Sequence, residues 1–263
     1  SNAIEKRKVL LVEDNHELLN VLSNLFSSTY EVVMAHNGKE GLDKAHEEFP
    51  DIIVSDIMMP EMTGIELCET IKSDFNLCHI PIVLLTALAS TQQNIEGLTK
   101  GADDYITKPF NTSILLVRCN NLVHNRLMLQ KKFQQQGYTD TEVIANNPID
   151  QHFLDALNSV IENHIDDTEF NIDHLACALG LSRSSLYAKF KSLTGITPND
   201  YILSKKIKRA AHLLQSTQLQ ITEISDMLGF GSSRYFTRCF KKSFGIAPSE
   251  YRKKENSAEK LSE

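Results

Sequence analysis

The chain has 263 residues, a hydrophobic fraction of 41% and a net charge of −7, enough material for two soluble domains of ordinary size. No apolar run approaches the roughly 20 residues that cross a bilayer, and nothing near the N-terminus has the pattern of a secretion signal. The cysteines, odd in number at five and without a Cys-x-x-Cys pair, argue against a disulfide framework or a zinc site and fit a reducing cytoplasm. Ser1-Asn2-Ala3 reads as the remnant of a cleaved expression tag. Ile4 follows it without a methionine, so the chain is expected to come from a longer polypeptide.

Apolar runs at 9–12, 30–35, 52–55, 81–85 and 105–107 alternate with segments of helical period. Leu18, Leu19, Leu22 and Phe26 make one apolar helix face, and Ile65, Leu67, Cys68 and Ile71 another. Five strands alternating with helices predict a doubly wound α/β fold, a parallel sheet covered on both sides. Four of the runs lead straight into polar residues: Glu13-Asp14, Asp56, Thr86 and Lys108. In an open parallel sheet the crevice lies at the carboxyl ends of the strands, so residues repeated at that position converge in space. Three carboxylates, a hydroxyl and an ammonium in one pocket point to a divalent cation and a phosphoryl group. Mg²⁺ takes oxygen ligands through one or two carboxylates plus water and phosphate, which suits such a cluster. Taken one at a time, Glu13-Asp14 also reads as a helix N-cap and each loop carboxylate as a solvated charge.

Residues 125–150 form the expected junction, with 130–136 extending the preceding helix and 137–148 a turn-rich linker. Beyond it the sequence repeats. Leu179-Gly180-Leu181 returns as Leu228-Gly229-Phe230, and Phe190-Lys191…Gly195-Ile196-Thr197-Pro198…Tyr201 returns as Phe240-Lys241…Gly245-Ile246-Ala247-Pro248…Tyr251. The offset grows from 49 to 50 residues, so the second copy carries one extra residue in its turn. Each copy predicts two helices around a glycine, the spacing of a helix-turn-helix unit. The helix between them, 202–214, bears Lys205, Lys206, Lys208 and Arg209, placed to touch phosphates. Charge is divided along the chain: residues 1–124 carry −9, residues 125–169 carry −5 and residues 170–263 carry +7. An acidic front and a basic back suggest a regulatory or metal-binding module joined to one that meets a polyanion. Lys253, Lys254 and Lys260 read as a solubilising tail.

On the residues around Glu13-Asp14, Asp56 to Gly64, Thr86-Ala87 and Lys108-Pro109-Phe110, the stretch 6–124 resembles the receiver domain of bacterial two-component response regulators. The resemblance implies a five-stranded sheet in the flavodoxin-like order 2-1-3-4-5. It implies that Asp56 accepts a phosphoryl group from a sensor histidine kinase, with Mg²⁺ held by Glu13, Asp14, Asp56 and the carbonyl of Met58. It also implies that Thr86 and Lys108 contact the phosphoryl group, that Tyr105 swings as a switch, and that the Lys108-Pro109 bond is cis. Tyr105 also reads as an ordinary packing residue.

The stretch 151–254, with units over about 170–201 and 219–251, resembles the AraC-type helix-turn-helix domain, which implies two helices entering successive major-groove segments of double-stranded DNA, about 34 Å apart. With Leu186, Phe190, Phe236 and Phe240 inward, Ser184, Ser185, Tyr187, Ala188 and Lys191 face outward on the first helix and Ser233, Arg234, Tyr235, Arg238 and Lys241 on the second. Arg234 and Arg238 suit bidentate contacts to guanine, whereas Ser184 and Ala188, at the matching positions, do not. The second helix is therefore expected to carry more of the specificity.

The leading reading is a phosphorylation-controlled, non-enzymatic transcription regulator working in the cytoplasm. A Mg²⁺-dependent phosphohydrolase and a receiver with a protein-binding output stand beside it, although Met58 occupies the place where one hydrolase class has a second acid. The missing methionine raises a hybrid sensor kinase, with kinase and regulator on one chain at the cytoplasmic side of the membrane, against a standalone regulator. A homodimer stays open.

Overall fold

The computed structural model describes residues 6–87, 101–135, 144, 145 and 147–259. Most of the predicted linker over 137–148, the segment 88–100 after the fourth strand, and Lys260 lie outside them. Two units result, one drawn from Ser1–Leu129 and Asn146–Asp150, the other from Gln130–Ala145 and Gln151–Glu263. Among the described residues no helix is long and apolar enough to cross a membrane.

In the first unit, strands β1 (Arg7–Val12), β2 (Tyr30–Ala35), β3 (Ile52–Asp56), β4 (Ile82–Ala87) and β5 (Asp104–Lys108) alternate with helices α1 (His16–Phe26), α2 (Gly38–Glu48), α3 (Gly64–Ser73) and α4 (Thr112–Gln135). The sheet order is β2-β1-β3-β4-β5, with every pairing parallel. Side chains alternate across a strand, and the apolar runs are unbroken because both faces are covered. Val9, Leu11, Val54 and Leu85 pack with Leu19, Leu22 and Phe26 of α1 and Leu115 and Cys119 of α4. Leu10, Val12, Ile53 and Leu84 pack on the other face with Ala45 of α2 and Leu67, Cys68 and Ile71 of α3. Full burial of each such leucine contributes about 1.5–3 kcal/mol.

Two local expectations change. Asp56, Thr86 and Lys108 were placed just past their strands, but they lie within them, since pairing continues through Asp56↔Leu85, Thr86↔Thr107 and Ala87↔Lys108. The alternative reading of Glu13-Asp14 as the cap of α1 also gives way: Asn15 is the cap, its Oδ1 accepting from the Glu17 and Leu18 amides at 3.0 and 3.1 Å. Glu13 Oε1 accepts the amide of that cap residue at 3.2 Å, which leaves Oε2 free of the helix start.

The second unit is helical: α5 (Pro148–His164), α6 (Ile172–Ala178), α7 (Arg183–Thr194), α8 (Pro198–Ser216), α9 (Ile221–Met227), α10 (Ser233–Phe244) and α11 (Pro248–Glu259). The first turn of α5, to Asp150, belongs to the first unit, and the last residues of α4, from Gln130, belong to the second. The repeat has a backbone cause. Gly180 and Gly229 both adopt φ +66, the left-handed region glycine tolerates, and each ends its helix with the same paired bonds. Leu181 N donates to Ala176 O and Gly180 N to Cys177 O, as Phe230 N does to Ser225 O and Gly229 N to Asp226 O, a Schellman closure. Ser182 and Ser232 then cap α7 and α10, which identifies Gly231 as the extra residue of the second turn. Leu186, Phe190, Phe236 and Phe240 are fully buried, as their spacing predicts.

The basic helix α8 departs from expectation. Lys205 pairs with Glu162 at 2.9 Å and Arg209 with Asp166 at 3.1 Å, and Lys206 is buried. The acids contributed by α5 and the turn after it were invisible to a reading of α8 alone, and they hold these charges inside the unit. Lys253 and Lys254 sit on the helix α11 rather than on a tail.

Candidate functional site

The carboxyl edge of the sheet gathers the predicted acids. Glu13 follows β1, and its amide donates to Ala35 O at the end of β2 at 3.1 Å, which carries the β1–β2 pairing on through it. Asp56 ends β3, where Ile57 N donates to Leu85 O at 3.0 Å. One carboxylate oxygen from each of Glu13, Asp14 and Asp56 lies within 4.8 Å of the others. Glu13 is 1% exposed and Asp56 8%, whereas Asp14 opens to solvent. Lys108 reaches across from β5, its Nζ donating to Glu13 Oε2 at 2.8 Å and lying 3.0 Å from Asp56 Oδ1.

The electrostatics follow from that packing. Burial raises the Glu13 pKa and the nearby Asp56 charge adds to it, while the Lys108 bond opposes both. Burial works against the Lys108 ammonium, but its bonds to Glu13 and Asp56 outweigh it and the Lys108 pKa rises. Among the described residues Lys108 pairs with two of the three carboxylates, which leaves an excess of negative charge in a partly buried pocket, and a cation or a proton would relieve it. The donor set is all oxygen and one member is exposed, which fits Mg²⁺ with its retained waters.

The remaining predicted residues are placed less closely. Thr86 is buried at the end of β4, its hydroxyl donating to Ala87 O at 3.2 Å. The Lys108-Pro109 bond is cis. Tyr105 is half-buried and packs on the α2–α3 side of the core, and the segment 88–100 after β4 lies outside the described residues. Met58 turns its side chain outward, 61% exposed; the resemblance uses only its carbonyl. Sequence reading missed Gly64 as a site residue. A Cβ there would stand 2.0 Å from Asp56 O, so the α3 N-terminus packs directly on the backbone of Asp56. The motif after Asp56 contains this glycine, but only the close approach gives it a reason.

On the helical unit, Ser184, Lys191, Arg234, Tyr235, Arg238 and Lys241 are exposed and Ser185, Tyr187, Ala188 and Ser233 half-buried. Tyr187 is engaged, its hydroxyl accepting from Asn199 Nδ2 at 2.6 Å. Arg183, which outward spacing on the first helix did not include, is exposed beside Tyr187, 5.8 Å from the ring centre, and pairs with Asp173 at 3.3 Å. Arg238 lies 5.3 Å from the Tyr235 ring centre.

Comparison with known proteins agrees with both halves. Residues 9–120 match the response regulator receiver domain and residues 175–254 a helix-turn-helix domain. Histidine kinase P4 of Formosa agariphila is 39% identical over 247 residues, 94% of this chain and 18% of that protein. Hybrid signal transduction histidine kinase D of Dictyostelium discoideum is 40% identical over 149 residues, 55% of this chain and 10% of that protein. The chain thus spans less than a fifth of either relative. Among solved structures, the receiver domain of the Francisella response regulator 1452 is 36% identical and covers 45% of this chain and 98% of its own, with a TM-score of 0.43. The Vibrio cholerae chemotaxis response regulator CheY4 is 34% identical and covers 44% of this chain and 98% of its own, with a TM-score of 0.42. The chain therefore belongs to the response regulators, as a receiver domain joined to an AraC-type helix-turn-helix domain, the architecture of a phosphorylation-regulated DNA-binding protein.

Proposed function

We propose that Asp56 is the phosphoacceptor of this regulator and that its modification controls how α7 and α10 occupy DNA. The observation that carries the reading is the three carboxylates whose oxygens lie within 4.8 Å of one another, two of them paired with the ammonium of Lys108. An Asp56 carboxylate oxygen attacks the phosphorus of a phosphohistidine, the P–N bond breaks, and its electron pair returns to the imidazole nitrogen, which takes up a proton from water. Glu13, Asp14, Asp56 and the Met58 carbonyl would hold Mg²⁺, and when bound it supplies positive charge for the phosphoryl oxygens. Lys108, already on Asp56, stays with the transferred group as a counter-charge. Thr86 exchanges its bond to Ala87 O for one to a phosphoryl oxygen, and Tyr105 follows. The match to a histidine kinase along nearly the whole chain supports a kinase on the same polypeptide as donor, with this segment on the cytoplasmic side where DNA is accessible.

Incubating the protein with acetyl phosphate should give one labile acyl phosphate per chain. Sustained turnover of an added phosphoester would instead favour a hydrolase. Titrating Mg²⁺ should raise the melting temperature, since ligand at a hundredfold excess over Kd stabilises by about 2.7 kcal/mol. Asp14→Asn should blunt the rise; an equal rise in that variant would remove Asp14 from the ligand set.

On DNA, Arg234→Ala and Arg238→Ala should each weaken a cognate duplex by about 1–3 kcal/mol with a smaller effect on scrambled sequence. Lys241→Ala should weaken both alike and reduce the salt slope by about one. Equal losses on both duplexes for the arginines would mean that they read phosphates.

A further inference from the structure

The two matched helices do not present their arginines alike. When one copy is laid on the other, Arg183 and Ser184 of α7 stand where α10 has Ser233 and Arg234. Each helix thus carries one arginine among its first residues, displaced by one position, which is about 100° around the helix axis. Arg183 is the first residue of α7, directly after the cap Ser182, and the N-terminal residues of the second helix of such a unit are those that meet base edges. Its side chain is 58% exposed, and two groups hold it. Nη1 donates to Oδ1 and Oδ2 of Asp173, on α6, at 3.3 and 3.5 Å. The guanidinium carbon lies 5.8 Å from the ring centre of Tyr187, one turn further along α7, and Tyr187 is fixed in turn by the Asn199 amide on its hydroxyl at 2.6 Å. Among the described residues Nε and Nη2 make no hydrogen bond.

Asp173 gives the pair its meaning. Its side chain is 64% exposed beside a helix proposed to meet a polyanion, where a carboxylate works against phosphate binding. Stability does not account for it, because exposed ion pairs contribute little. The pair does two other things. It neutralises Arg183, which makes it a poorer phosphate ligand, and it leaves the edge bearing Nε and Nη2 as two parallel donors. Guanine is the base that offers two acceptors side by side in the major groove, O6 and N7. We infer, resting on the DNA-binding role proposed above, that Arg183 reads a guanine through this edge, with Asp173 and Tyr187 as positioning residues that hold the guanidinium. The first helix then has a base preference of its own, one contact against the two assigned to Arg234 and Arg238, at a position about one helical turn from theirs.

The full chain, with and without acetyl phosphate, is used to select duplexes from a randomised library, and the retained pools are sequenced. Arg183→Ala should lower the guanine preference at one position about tenfold, a position distinct from those that change in Arg234→Ala and Arg238→Ala. Arg183→Gln should move the same position from guanine toward adenine, whose N6 and N7 suit a carboxamide. Asp173→Asn should relax that position while raising affinity for scrambled duplex, a combination that a merely structural residue does not produce. Melting curves establish that the variants fold. Uniform weakening of every duplex in Arg183→Ala, with base preferences unchanged, would make Arg183 a phosphate contact and overturns the assignment. A guanine preference that survives in Arg183→Gln also overturns it, and Asp173→Asn binding indistinguishable from the unaltered protein removes Asp173 from its positioning role. Unaltered protein that enriches no sequence overturns the DNA-binding reading itself, whereas enrichment that is lost only in the Arg234 and Arg238 variants overturns the Arg183 assignment alone.

Discussion

Asp56→Asn is expected to reduce phosphoryl incorporation from acetyl phosphate, or from a phosphorylated histidine kinase, to background while leaving the fold intact. The separation of the two effects follows from the geometry. Asp56 Oδ1 accepts the amide of Ile57 at 2.9 Å, and an asparagine keeps that acceptor and the shape of the side chain. What it loses is the charge that makes the oxygen a nucleophile. That charge also raises the Glu13 pKa by repulsion, so its removal eases the crowding of acids in the pocket. The melting temperature without Mg²⁺ should therefore hold or rise, and its response to Mg²⁺ should shrink. Intact-mass analysis checks the first part: an adduct that persists in Asp56→Asn would place the phosphoryl group elsewhere. A melting temperature that falls by more than a few degrees would show that the ion pair with Lys108 at 3.0 Å stabilises the native unit more than the neighbouring acids oppose it.

Gly64→Ala should be the most destabilising single change around the pocket, by about 3 kcal/mol or more against a typical value near 1. The obstacle is backbone. The new methyl would lie 2.0 Å from Asp56 O and 2.9 Å from its carbonyl carbon, with Ser55 Oγ at 3.0 Å, and no rotamer relieves a clash with main chain. Either β3 or the start of α3 must move. α3 is held there by the Gly64 amide bonded to Ile57 O at 3.0 Å and by the reciprocal cap between Thr63 and Glu66. Movement of β3 would shift Asp56 away from Lys108, so the labelling rate should fall together with stability. Urea denaturation of the two proteins measures the difference. A loss below about 0.5 kcal/mol would mean that α3 slides outward freely, and the close packing of Gly64 on Asp56 would then carry no functional weight.

The sheet and its site were readable in the sequence because their determinants are periodic and local. Apolar runs such as 52–55 must be strands buried on both faces, and strands that all run parallel bring every carboxyl end to the same edge. Glu13, Asp56 and Lys108 therefore meet, however distant in sequence. The repeat around Gly180 and Gly229 was legible for a related reason: a left-handed helix end admits few residues other than glycine. Contacts between elements were not legible. Whether Lys205 and Arg209 face DNA or Glu162 and Asp166, whether Lys206 is solvated or buried, and whether Gly64 is a turn residue or a point of backbone contact depend on which element lies alongside. Apolar period determines which face of a helix turns inward, and it says nothing of what waits there. The sequence by itself determined the fold class, the convergence of the acids and the two matched helices. Tertiary packing alone decided that Asn15, not Glu13-Asp14, caps α1 and that α8 pairs Lys205 and Arg209 with internal acids, because burial and pairing are properties of neighbours and not of residues.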